Sequence, residues 1–124
     1  MAIEIPGFKP GQFVAGADLS ALQFRFVKIN SSGLVVAITG ASDVPIGILQ
    51  DKPAASGRSA EIMCDGISKL VAGEAMAPGN TVGPDATGKG DDSAPTGVYG
   101  QVIEGTAAAD EIGSVLFSCL KPHA

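Results

Sequence analysis

Apolar and polar residues alternate along much of this chain with a period of two, the pattern of half-buried β-strands. Phe24-Arg25-Phe26-Val27-Lys28-Ile29 shows it first, apolar and basic side chains falling on opposite faces. Asn30-Ser31-Ser32-Gly33 reads as a turn, and Leu34-Val35-Val36-Ala37-Ile38 returns as the partner strand. Ile46-Gly47-Ile48-Leu49 predicts another strand after Asp43-Val44-Pro45. Residues 60–64 and 67–71 flank Asp65-Gly66, a dipeptide that favours the tight turn of a hairpin. Gly73-Glu74-Ala75-Met76-Ala77 predicts a short strand entering a turn at Pro78-Gly79-Asn80, and residues 83–97 a long polar loop. Residues 98–104 and 112–117 close the set, and Ala107-Ala108-Ala109-Asp110-Glu111 offers at most one helical turn.

Residues 1–20 read differently. Pro6, Gly7, Pro10, Gly11 and Gly16 exclude a helix, while Ile3, Ile5, Phe8 and Phe13 are too apolar for a solvated tail. They predict an extended arm that needs a surface to lie on: this domain, a sister subunit or a foreign partner. Residues 21–124 then form a single domain, since 124 residues cannot supply two independent cores. Glycine and proline, 25 residues spread as punctuation, fit many short strands joined by turns. The expected fold is all-β, a compact small barrel or sandwich with an extended N-terminal arm and little helix.

A weak internal echo accompanies this pattern. Gly47-Ile48-Leu49 leads to the strand ending at Cys64, and Gly100-Gln101-Val102 to the strand ending at Cys119. The glycines are 53 positions apart and the cysteines 55, as two pseudo-symmetric halves would place them.

Charge and chemistry narrow the function. The net charge is −5, and the eight basic residues are scattered with no stripe to match a row of phosphates, so nucleic acid is not an expected partner. The N-terminus lacks the pattern of a signal peptide and no apolar run is long enough for a membrane span, which predicts folding in a cytosol. Cys64 and Cys119 then read as buried small hydrophobes, and with one histidine they make no zinc site.

Gly83-Pro84-Asp85-Ala86-Thr87-Gly88-Lys89 fits seven positions of a phosphate-binding loop. Gly90 stands where Ser or Thr is needed, and no helix can follow, so the run reads as a turn. Asp85, Asp91 and Asp92 lack the spacing of a calcium loop. His123, the sole histidine, lies next to the C-terminus, so no catalytic triad can be built. No catalytic, cofactor or metal residue is assigned, and the chain is not expected to be an enzyme.

The order of several short pieces carries a resemblance. Ala17-Asp18-Leu19-Ser20-Ala21-Leu22-Gln23-Phe24-Arg25-Phe26-Val27-Lys28 resembles the opening of the bacteriophage capsid cement, or head decoration, family. The likeness continues through Pro45-Ile46-Gly47-Ile48-Leu49-Gln50, Gly66 and Lys69, Val71-Ala72-Gly73-Glu74-Ala75, Pro78-Gly79-Asn80 and Gly100-Gln101-Val102. It covers nearly the whole chain from about residue 11. The resemblance implies a viral structural protein that binds the major capsid protein on the outside of the assembled head and stabilises it, often as a homotrimer. The expected location is the capsid exterior of the virion, after synthesis in the host cytoplasm. Ile3, Ile5, Phe8 and Phe13 are then the candidate capsid or subunit contacts. Two other readings are a lipoyl-type carrier, with Lys52 of Asp51-Lys52 as the modified residue, and a phage surface-binding module. The latter is poorly supplied with aromatics for stacking on sugars, having no Trp and one Tyr.

Overall fold

The protein is described by a computed structural model over residues 13–120. Its strands are β1 (Phe13–Val14), β2 (Phe26–Ile29), β3 (Val35–Ala37), β4 (Gly47–Leu49), β5 (Ser59–Ala60) and β6 (Ile62–Met63), then β7 (Asp65–Val71), β8 (Thr81–Pro84), β9 (Gly90–Asp91), β10 (Gly100–Glu104) and β11 (Ile112–Ser118). They form three sheets, β1-β5, β3-β2-β4-β6 and β7-β11-β10-β8-β9, and all their ladders are antiparallel. The sheets stack as a sandwich and do not close into a barrel, and there is no helix among the described residues.

The internal echo is real in the topology. The β2–β3 hairpin is matched by β8–β9, β4 beside β2 by β10 beside β8, and β6 beside β4 by β11 beside β10. The match extends to β1, whose Phe13 faces Ala60 as Leu70 of β7 faces Gly113. A parallel bridge between Ala15 and Val35 has its counterpart between Ala72 and Gly90. Even the bond beside it recurs: Gly16 N–H donates to Val35 O at 2.8 Å, and Gly73 N–H to Gly90 O at 2.9 Å. The halves meet where Cys119 N–H donates to Cys64 O at 2.8 Å.

Strict alternation in the four-stranded sheet separates two cores. Phe26, Ile48 and Met63 point to one side and join Leu70, Val82, Tyr99, Val102, Val115 and Phe117 of the second half. Val27, Leu49 and Ile62 point to the other, where they pack with Ala15, Leu19 and Ala60. The Phe26 ring anchors the first core, 6.3 Å from both Tyr99 and Phe117 and edge-on to the latter. Such aromatic pairs stabilise beyond simple burial.

Several local expectations are corrected. Asp65-Gly66 is not a hairpin turn; both residues lie in β7, opposite Ser118 and Phe117. Gly66, at φ 119°, allows the chain to leave the four-stranded sheet at Met63 and enter the five-stranded one two residues later. Residues 73–77 form no strand; Gly73 N–H donates to Gly90 O of β9, and Met76 makes an isolated bridge with Thr106. The polar loop at 83–97 contains β9, so that Asp85–Lys89 is the turn of a hairpin. There Asp85 Oδ1 accepts the N–H groups of Thr87 and Lys89 at 2.8 and 3.0 Å. Residues 107–111 make a turn, not a helical one: Glu111 Oε1 accepts Ala107 N–H, and Asp110 takes a φ of 70°.

Candidate functional site

The five-stranded sheet buries one face and leaves much of the other exposed, although Ser114 at the centre of that second face is fully buried between Lys69 and Glu104. Its inward residues Leu70, Val102, Val115 and Phe117 are all buried. Its outward residues alternate with these, and three large apolar ones stand free: Ile103 at 40%, Ile112 at 44% and Leu116 at 51% exposure. β11 runs between β7 and β10, and Ile112 and Leu116 lie four positions apart along it, with the buried Ser114 between them. Leu116 faces Ile67 on one side and Gln101 on the other, and Ile112 faces Val71. Ile103 is the extra residue of a bulge in β10, where the register shifts between Val102 and Glu104. A bulge re-aims side chains, and this one brings Ile103 and Glu104 to the level of Ser114. Lys69 lies opposite Ser114 on the β7 side, its ammonium 5.5 Å from the centre of the Phe24 ring.

β7 and β11 pair over seven consecutive positions, the longest ladder of the fold. The open face is therefore a rigid platform and not a loop surface. It also lies on the far side of the molecule from β1, since both cores intervene.

Charge is distributed unevenly around it. Residues 13–64 hold acidic and basic groups in equal number. Residues 65–120, which hold β7 to β11, carry Asp65, Glu74, Asp85, Asp91, Asp92, Glu104, Asp110 and Glu111 against Lys69 and Lys89. Lys89 Nζ sits 2.6 Å from Asp110 Oδ1 and holds that carboxyl below the usual carboxylate range. The half that bears the open face is thus strongly acidic.

The profile of the phage cement protein family matches residues 13–117. The chain belongs to that family. Its role is capsid decoration, in association with the phage head. The cement protein matches no curated protein by sequence. Among solved structures it is similar in fold to the head fiber gp8.5 N base of bacteriophage phi29. The TM-score is 0.64 at 15% identity, covering 92% of this chain and 98% of that one.

The sequence-selected residues fall in separate places. Ile3, Ile5 and Phe8 lie outside the described residues. Phe13 lies in β1, half-buried against the core that holds Leu19 and Ala60, and the rest of the segment up to Ser20 follows it into the fold, with Ala15 and Leu19 fully buried. Lys52 is exposed in the connection between β4 and β5, strands that do not pair with each other, so it does not stand at a hairpin tip. In this cement protein both cysteines are free thiols. They pack with different cores, and burial pushes the Cys119 thiol up to about 12, with a smaller contribution from Cys64. Among the described residues no group of His, Cys, Asp or Glu could hold a metal ion, and no helix is long and apolar enough to cross a membrane.

Sequence reasoning missed the open face altogether. The alternation of Ile112, Ser114 and Leu116 against Gly113, Val115 and Phe117 marks a strand with apolar residues on both sides, which is the signal that could have found it.

Proposed function

We propose that this cement protein binds the exterior of the assembled head through the major capsid protein and stiffens the shell by bridging neighbouring subunits, with no catalytic step. The observation that carries the reading is the family match across residues 13–117, almost the whole of the described domain. The fold agrees with a mechanical role, being short strands locked in long-range ladders. The similar phi29 structure is named as the N base of a head fiber. The protein acts as a homotrimer on the outside of the virion, after synthesis in the host cytoplasm.

The N-terminal arm supplies part of the attachment. Ile3, Ile5 and Phe8, with Phe13 at the root, lie along the capsid protein or a neighbouring subunit. Each such side chain contributes about 1.5–3 kcal/mol when fully buried, less the cost of ordering the arm. Three arms on one trimer multiply the effect by avidity. Deleting residues 2–10 leaves every strand from β1 onward intact and should weaken binding at least tenfold. Co-sedimentation with undecorated heads measures this, and full-strength binding by the truncated protein would remove the arm from the mechanism.

A further inference from the structure

We infer that the open face of β7, β11 and β10 is a second capsid contact, and that it docks on a surface apolar at its centre and basic at its rim. The inference rests on the decoration role and adds the part of the fold that carries it. Two observations lead to it.

The first is internal. Phe26, Ile48 and Met63 lie in one row across β2, β4 and β6, and the second half covers them. The matching row across β8, β10 and β11 is Thr81, Gln101 and Leu116, and nothing among the described residues covers it. Ile103 and Ile112 add exposed apolar area to the same face, which the seven-position β7–β11 ladder holds in place.

The second is charge. The patch belongs to the half, β7 to β11, in which eight carboxylates accompany two lysines, one of them Lys69 on the face itself. A second copy would bring the same acidic surround and be repelled, whereas a basic-rimmed partner is attracted and oriented. The occupant is therefore the capsid protein and not another copy of this chain. The face lies opposite β1, so its contribution is separable from that of the arm.

The test uses the full chain and undecorated heads. Leu116→Glu and Ile103→Glu place charge at positions already half in water, so both variants should keep the unfolding midpoint of the parent. Each should weaken binding at least tenfold, and raising salt from 50 to 500 mM should weaken the parent several-fold. Gln101→Lys, beside Leu116, should lower affinity more than Gln101→Glu, and this exposed pair remains informative if the glutamate variants unfold. Parent-level binding by a folded Leu116→Glu chain overturns the face while leaving the decoration role intact. A Gln101→Lys chain that binds as well as Gln101→Glu overturns the basic rim. If light scattering shows that Leu116→Glu dissociates an oligomer of the parent, the face is a subunit interface and the inference fails. Failure of the parent to bind any head removes the decoration reading and this inference with it.

Discussion

Phe26, Ile48 and Met63 in the first half of the chain and Thr81, Gln101 and Leu116 in the second hold matching places in two ladders of the same order, yet the first three are buried and the second three exposed. The inner faces of the two halves are alike: Val27, Leu49 and Ile62 have Val82, Val102 and Val115 as counterparts, all of them buried. The difference thus lies wholly on the outer faces. One outer face became the interior of the domain because the second half lies on it, and its aromatic and large aliphatic side chains follow from that. The other kept a threonine and a glutamine beside its leucine, a composition that tolerates water and still offers apolar area to a partner.

The sharpest test of this asymmetry compares the first members of the two rows. Phe26→Ala removes a ring that touches Tyr99 and Phe117 across the halves and should cost about 3–5 kcal/mol. Thr81→Ala, at the matching exposed place, should change stability by no more than about 0.5 kcal/mol. Urea unfolding measures both. A loss below about 1 kcal/mol for Phe26→Ala would mean that the two halves are not held together by the core described here.

A second comparison asks whether the halves are equivalent where they look most alike. Gly47 and Gly100 each sit in the middle strand of a ladder, beside the backbone of the next strand. A Cβ on Gly47 would collide with the Met63 carbonyl oxygen, and one on Gly100 with that of Leu116. Neither backbone can move without opening its ladder, so Gly47→Ala and Gly100→Ala should each destabilise by about 1–3 kcal/mol, and by similar amounts. Urea midpoints again decide. Tolerance of one alanine and not the other would show that the repeat is one of strand order without shared packing.

These glycines are also what made the repeat visible in the sequence, together with the cysteines 55 positions apart. A further sign went unused: Val14-Ala15-Gly16 recurs as Val71-Ala72-Gly73, and both copies make the same bridge. The strands at 26–29, 35–37, 47–49, 100–104 and 112–118 were legible because period-two burial writes itself into residue type. Asp65-Gly66 misled because hairpin propensity is local. The glycine's positive φ serves a change of sheet here, which only the position of β11 reveals. Ala107-Ala108-Ala109 has helical propensity but too few residues to nucleate a helix, and Glu111 holds the segment as a turn. The open face could not be read because Leu116 and Phe117 are equally apolar as letters. Which one meets water depends on where the first half packs.

The loops that follow the two hairpins extend the comparison to electrostatics. After β9, Asp91 Oδ1 shapes the chain by accepting Ser93 and Ala94 N–H groups at 3.0 and 3.2 Å. After β3, Asp43 Oδ2 does the same for Thr39 and Gly40, and it also accepts a bond from Lys28 Nζ at 2.8 Å. The Lys28 ammonium first, and the Thr39 N–H next, hold the Asp43 carboxyl down at about 2. A folded-state value below the unfolded one of 3.8 means that the stabilisation is complete above pH 4 and fades as pH falls through 2. Asp43→Asn keeps an acceptor but removes the charge. Because the pair is half-buried and still reached by solvent, the variant should lower the midpoint of thermal unfolding by only a few degrees at pH 6. Melting curves between pH 6 and pH 2 should show that gap closing over the last two units. A gap that persists unchanged at pH 2 would mean that it does not come from the charge of Asp43, and that the ion pair distinguishes the halves in appearance only.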